Sequence, residues 1–149
     1  MNIIRKFQPS DFPSVIDIER RVFNEHDPYL YMQFYETCSE GFMLAEINGI
    51  VVGYVVGFQT SRKTGRIFSL AVLPEYQNRG IGSNLLEEII NYLRQRGAFE
   101  VILEVRVSNI KAKRFYERHG FYQVRVLKRY YNDGEDAYLM RLSLGPRSS

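Results

Sequence analysis

The chain has no tryptophan, one cysteine, two histidines and five prolines among its 149 residues. A lone Cys38 excludes an internal disulfide. Its neighbours, Glu36-Thr37-Cys38-Ser39-Glu40, offer neither a base nor a cation to lower the thiol pKa, which argues against an acyl-carrying cysteine. His26 and His119 form no cluster with cysteine, so no metal is expected. No run approaches the roughly 18 apolar residues of a membrane span. Met1-Asn2-Ile3-Ile4-Arg5-Lys6 is followed by no long apolar core of a signal peptide. The expectation is a cytoplasmic protein with no membrane partner.

What is present is ordinary for a globular domain: 45% hydrophobic and 25% charged residues. The length suits one domain, residues 1–144, with a frayed tail at 145–149. A net charge of +3 raises the question of nucleic acid. The cations, however, are dispersed: Arg94 and Arg96 near a helix end, Lys111, Lys113, Arg114 and Arg118 on a helix, Arg125, Lys128 and Arg129 on a strand. No stripe and no nucleic-acid-reading motif emerges, and a solvated surface is the default.

Periodicity predicts a strand at Asn2–Phe7, a helix at Ser10–Phe23 capped by Ser10, and a short aromatic helix after Pro28. Asn48-Gly49 between two apolar runs, Phe42–Ile47 and Ile50–Thr60, is the strongest short hairpin signal. A fourth strand ends before Pro74, and a helix continues to about Arg96. Strand Phe99–Val105, helix Asn109–His119 and strands Phe121–Tyr130 and Asp136–Leu144 complete an α/β order without repeats.

The run Val72-Leu73-Pro74-Glu75-Tyr76-Gln77-Asn78-Arg79-Gly80-Ile81-Gly82-Ser83 joins strand to helix through two glycines. At a helix N-terminus the unpaired N–H groups and the dipole favour an anion, and glycine lets the backbone approach it. A dinucleotide fingerprint would need glycine where Leu85 stands, and a P-loop would need Gly-Lys-Ser/Thr. The alternative without a ligand is a glycine-softened helix start.

Gln77-x-x-Gly80-x-Gly82 resembles the acetyl-CoA motif of the GCN5-related N-acetyltransferases (GNAT). Leu103-Glu104-Val105-Arg106-Val107-Ser108-Asn109, Phe115-Tyr116, Gly120-Phe121 and the tail Val126–Met140 are similar to the branch that acetylates protein N-termini, the bacterial RimI and archaeal NatA-like enzymes. Phe23-Asn24-Glu25-His26-Asp27-Pro28-Tyr29 looks like the substrate loop of the archaeal enzymes. The resemblance covers roughly residues 2–143. It implies a single α/β (α+β) domain with a mixed, mostly antiparallel sheet of about seven strands, about four helices, and splayed strands four and five.

It also implies roles. Acetyl-CoA would be held by Leu70, Ala71, Val72, Gln77, Asn78, Arg79, Gly80, Ile81, Gly82, Ser83, Asn109 and Tyr116, with no metal. Glu104 would be the base, its alternative being a strand glutamate paired with Arg106 or Arg66; Tyr116 would be the acid, its alternative a packed aromatic. Asn109 reads equally as a helix N-cap. Phe23, Glu25, Pro28, Tyr29, Tyr130 and Tyr131 would hold the acceptor, Tyr130-Tyr131 reading otherwise as an aromatic pair. The archaeal enzymes often carry histidine where this chain has Arg66, which cannot serve as a second base; His26 reads either as a substitute or as an exposed loop histidine.

The expected activity is acetyl transfer from acetyl-CoA to protein N-termini, of finished or nascent chains, ribosomal proteins among them, with ribosome association and no specific nucleic acid binding. The rivals are an enzyme acetylating a lysine side chain or small amine, and a coenzyme A-binding module without catalysis.

Overall fold

Asn48 and Gly49 take φ of 51° and 80°, the left-handed pair that a two-residue hairpin turn demands, and join β2 (Phe42–Ile47) to β3 (Ile50–Gln59). The computed structural model describes residues 2–145; of the expected tail, residues 146–149 lie outside the described residues. The remaining elements are β1 (Ile3–Lys6), α1 (Phe12–Val22), α2 (Pro28–Cys38), β4 (Thr64–Val72), α3 (Ile81–Gln95), β5 (Glu100–Arg106), α4 (Ile110–Arg118), β6 (Tyr122–Leu127) and β7 (Ala137–Ser143). The sheet is seven-stranded in the order β1-β2-β3-β4-β5-β7-β6. Two compact units share β4: one comprises the residues up to Phe58 with Ile67–Gln95, the other Gln59–Arg66 with the residues from Arg96 on.

In the first unit, α3 buries Ile81, Leu85, Leu86, Ile89 and Leu93, which recur at helical spacing along one face. Each such side chain contributes about 1.5–3 kcal/mol by leaving water. An aromatic core of Phe7, Tyr31, Phe42 and Tyr54 surrounds Ile18 and Leu44, with Phe7 stacked on Phe42 at 4.3 Å. Ser10 does not cap α1. A 3-10 turn at Pro9–Asp11 precedes the helix, and the Asp11 carboxylate accepts from Gln8 N (2.8 Å) and from both terminal nitrogens of Arg5. Asp11 is the N-cap residue of α1, and its carboxylate is committed to Arg5 and Gln8 and not to the helix.

In the second unit, β5 alternates, burying Val101, Leu103 and Val105 while Ile102, Glu104 and Arg106 share the opposite face. It pairs antiparallel with β7 along its whole length and parallel with β4 at Thr64↔Glu100, Gly65↔Val101 and Arg66↔Ile102. Among the described residues that parallel ladder ends at Arg66, and Ile67–Val72 continues in the first unit without a β5 partner. The last two strands differ from expectation. β6 stops at Leu127, because Arg129 turns to φ 49° and Asp136 captures Arg129 N (2.9 Å) and Lys128 Nζ (3.2 Å). Lys128, Arg129, Tyr130 and Tyr131 therefore lie in a turn, not on a strand.

Candidate active site

The motif loop is built by side chains that bind the loop itself. Pro74–Tyr76 form a 3-10 turn, and the Gln77 side-chain amide donates to the Val72 carbonyl (2.9 Å), tying the loop to the end of β4. Gly80 has φ 82°, and its carbonyl accepts from Asn84 N (3.0 Å), so it is the residue from which α3 starts. Asn78, Arg79 and Gly80 are exposed, with Arg79 lying over the Tyr76 ring at 5.2 Å. The first turn of α3, Ile81-Gly82-Ser83, presents the N-terminal end of the helix, where the dipole adds positive potential, which suits a pyrophosphate. Upstream, Ala71 and Val72 are buried and Leu70 half-buried. Gly53 packs against them: a Cβ there would stand 2.8 Å from the Ala71 carbonyl oxygen.

The second unit brings three chemically active side chains together. Arg66 Nη2 donates to Glu104 Oε1 at 2.7 Å and to the Tyr130 hydroxyl at 3.0 Å. The Glu104 side chain is 11% exposed. Burial, then the Glu104 charge, raise the Tyr130 phenol above its ordinary value, partly opposed by Arg66. The alternative reading of Glu104 as a strand glutamate paired with Arg66 is thus met, and the pairing coexists with a place beside Tyr130. Arg106 is engaged elsewhere: its Nη1 bonds Asp133 and Glu135, each at 2.9 Å, while its guanidinium covers the Tyr131 ring at 4.0 Å. Glu135 also accepts from Ser108 N (2.8 Å), which fixes the turn against the end of β5. Tyr130 and Tyr131 meet edge-to-face at 5.0 Å, not as a cross-strand pair.

Tyr116 is buried on α4 against Phe115 and Phe121. Burial, followed by the nearby Tyr131, pushes its phenol well above the usual value. The proton gap between this phenol and a free thiol is thus wider than the ordinary values imply. Asn109 is the N-cap of α4, its Oδ1 accepting from Ala112 N (3.1 Å).

The expected acceptor loop is organised by a residue that the sequence reading missed. Glu19, 2% exposed, accepts from Glu25 N (3.2 Å), His26 N (3.3 Å) and Tyr31 OH (3.2 Å), and pairs with His26 Nδ1. Tyr31 continues to Tyr54 (2.8 Å) and Tyr54 to Ser69 (3.3 Å). His26 is therefore no exposed loop histidine: its side chain is 23% exposed and its ring lies 5.0 Å from Phe68. Phe23 packs on the core, Pro28 opens α2, and Tyr29 is 75% exposed. An open cleft of about 340 Å³ is lined by Glu19, Glu25, His26, Asp27 and Pro28, among others. The missed signal was the spacing, since Glu19 falls three and four residues after Ile16 and Val15 on the buried face of α1.

Burial pushes the Cys38 thiol up, away from the thiolate a nucleophile needs. Among the described residues no group of three or more His, Cys, Asp or Glu side chains is placed to hold a metal, and no helix is long and apolar enough to cross a membrane.

The strand–turn–helix junction from β4 through Gly80 into α3 is an anion-binding turn of the kind used by acyl-CoA-dependent transferases. The family model described as Acetyltransferase (GNAT) family matches residues 4–121, and the chain belongs to that family. It is an acyltransferase, with acetyl-CoA as co-substrate. The chain is 44% identical over 140 residues to an uncharacterized N-acetyltransferase of Methanocaldococcus jannaschii, covering 93% of this chain and 89% of that protein. It is 38% identical to the N-alpha-acetyltransferase of Sulfurisphaera tokodaii (95% and 92% covered) and 33% to the [ribosomal protein bS18]-alanine N-acetyltransferase of Escherichia coli K12 (97% and 99%). Among solved structures, Ard1 from Thermoplasma volcanium superposes with TM-score 0.92 at 34% identity, covering 96% and 97%. Chaetomium thermophilum Naa20, in complex with a bisubstrate analogue, gives 0.88 at 28% identity, covering 95% and 86%.

Proposed function

We propose that the protein transfers acetyl from acetyl-CoA to the free α-amino group of protein N-termini, by direct attack in a ternary complex. The observation that carries this reading is the nearly buried Glu104 carboxylate held beside Tyr130; the kinship with N-alpha-acetyltransferases supports it. An α-amine of pKa about 8 is about one-tenth neutral at pH 7, so freeing its lone pair costs only about 1.4 kcal/mol, against roughly 4.6 kcal/mol for lysine. A carboxylate acting directly or through one water is base enough.

In this reading the loop Gln77–Ser83 and the first turn of α3 hold the pyrophosphate, Leu70–Val72 pair with the pantetheine amides, and Asn109 adds a cofactor contact. The amine nitrogen attacks the thioester carbon and its proton passes to Glu104. The C–S bond breaks as the tetrahedral intermediate collapses, and the departing thiolate takes the Tyr116 proton. Burial raises the phenol, so Tyr116 is protonated at neutral pH, and close placement beside the sulfur must offset the wider gap to the thiol. Tyr130 and Tyr131 bind the first peptide groups, while Phe23, Glu25, Pro28 and Tyr29 shape the site for residue one. Residues 1–144 act as one acetyltransferase domain, working in the cytoplasm on nascent or finished chains, ribosomal proteins among them.

The test is acetyl transfer to short peptides beginning with Ser, Ala, Thr, Met-Leu, Met-Glu and Asp, beside an N-blocked peptide containing lysine. Acetylation of free N-termini alone supports the reading. Modification of the blocked peptide moves the protein to the lysine or small-amine class, and modification of none moves it to the binding modules.

A further inference from the structure

We propose that Arg66 is a positioning residue that couples capture of the acceptor peptide at Tyr130 to the placement of Glu104; the inference rests on the N-terminal reading above. Arg66 is the last residue of β4 paired with β5, opposite Ile102, and Glu104 lies two positions farther along the same face of β5. At the point where the ladder ends, the guanidinium therefore reaches forward along β5. Its Nη2 carries two protons, and two acceptors lie on them: Glu104 Oε1 at 2.7 Å and the Tyr130 oxygen at 3.0 Å. One nitrogen thus joins β4, β5 and the turn after β6.

This arrangement fixes where the protons stand. A guanidinium only donates, so Tyr130 receives from Arg66 and keeps its own O–H for a third group. The adjacent Glu104 carboxylate is one acceptor, consistent with its part in raising the phenol. A peptide carbonyl arriving at Tyr130 competes for that same proton. When the carbonyl takes it, the Tyr130 O–H turns from Glu104 to the peptide and leaves the carboxylate oxygens open to the incoming amine, while Arg66 keeps the carboxylate in place. Arg66 Nε is buried with no hydrogen-bond partner, so the guanidinium is held in this pose by the two Nη2 contacts and not by a full set of its own. Tyr131, covered by Arg106, anchors the turn that delivers Tyr130.

The experiment is a double-mutant cycle on the whole protein with Arg66→Met, Tyr130→Phe and the double variant. It measures kcat and KM for a free N-terminal peptide, and acetyl-CoA affinity by calorimetry. Arg66→Met is expected to raise the peptide KM and lower kcat, each by about tenfold or more, with acetyl-CoA affinity within about twofold. Tyr130→Phe, costly in the wild type, should cost several-fold less in the Arg66→Met background. Arg66→Lys, which keeps the charge but cannot place one nitrogen on both partners, should recover kcat more than KM, and it carries the test should Arg66→Met fail to fold. Losses that add independently, or a fall in acetyl-CoA affinity as large as the rise in peptide KM, overturn the coupling while leaving the N-terminal reading intact. A wild-type enzyme that acetylates no free N-terminus overturns that reading and the coupling with it.

Discussion

Arg66 Nη2 and Glu104 Oε1 stand 2.7 Å apart across the end of the β4–β5 ladder, with the glutamate side chain only 11% exposed. A carboxylate largely removed from water needs a hydrogen-bonding partner, and Arg66 is that partner. In the proposed function Glu104 is the base.

Glu104→Gln should lower kcat by about a hundredfold or more while leaving acetyl-CoA affinity nearly unchanged, since an amide accepts no proton but fills the same space. Steady-state kinetics with calorimetry on the variant checks this; an undiminished kcat eliminates Glu104 as the base.

Tyr116→Phe should reduce kcat with little change in either KM. Because burial raises the phenol, its protonated form persists as pH passes the ordinary value of about 10. The wild-type rate should therefore show no loss attributable to tyrosinate there, and an absorbance titration through that range should give the same amplitude in the wild type and in Tyr116→Phe.

Glu19→Ala should loosen the acceptor loop, because it removes the acceptor shared by Glu25 N, His26 N, the His26 ring and Tyr31. The peptide KM should rise without a matching change for acetyl-CoA, and the melting temperature should drop by an amount corresponding to about 2–4 kcal/mol. Equal effects on both substrates would contradict a local role.

Gly80→Ala tests the phosphate turn through its backbone alone. No atom lies within 4 Å of the added Cβ, so the only penalty is φ of 82°, about 1–2 kcal/mol. A several-fold weaker acetyl-CoA affinity with unchanged peptide KM is expected.

Much of this was legible locally. Asn48-Gly49 and the strand–glycine–helix run through Gly80 are properties of a few adjacent residues, and they folded as read. What escaped depends on partners far along the chain. That Arg66 and not Arg106 meets Glu104 follows from the register Arg66↔Ile102, which no local pattern encodes. Ser10 lost the start of α1 because Arg5, on β1, binds Asp11. The alternation of β6 ran on to Tyr130 in the sequence, but Asp136 pulls the backbone away after Leu127.

The Arg5–Asp11 pair also carries a pH signature. The guanidinium hydrogen bonds hold the Asp11 carboxyl below its usual range, against the opposing effect of burial. A depressed folded-state pKa stabilises above the unfolded value of about 3.9, and that contribution fades as pH falls through the folded one. Asp11→Asn should therefore be less stable at neutral pH, with a shallower loss of stability on acidification below about 4, as thermal melts across pH would show.

The most direct measurement uses one peptide that carries both a free α-amine and an internal lysine, incubated with the enzyme and acetyl-CoA at neutral pH and mapped by tandem mass spectrometry. A product acetylated at the N-terminus with the lysine untouched is what the Glu104 site predicts; acetyl on the lysine with the α-amine free would contradict it.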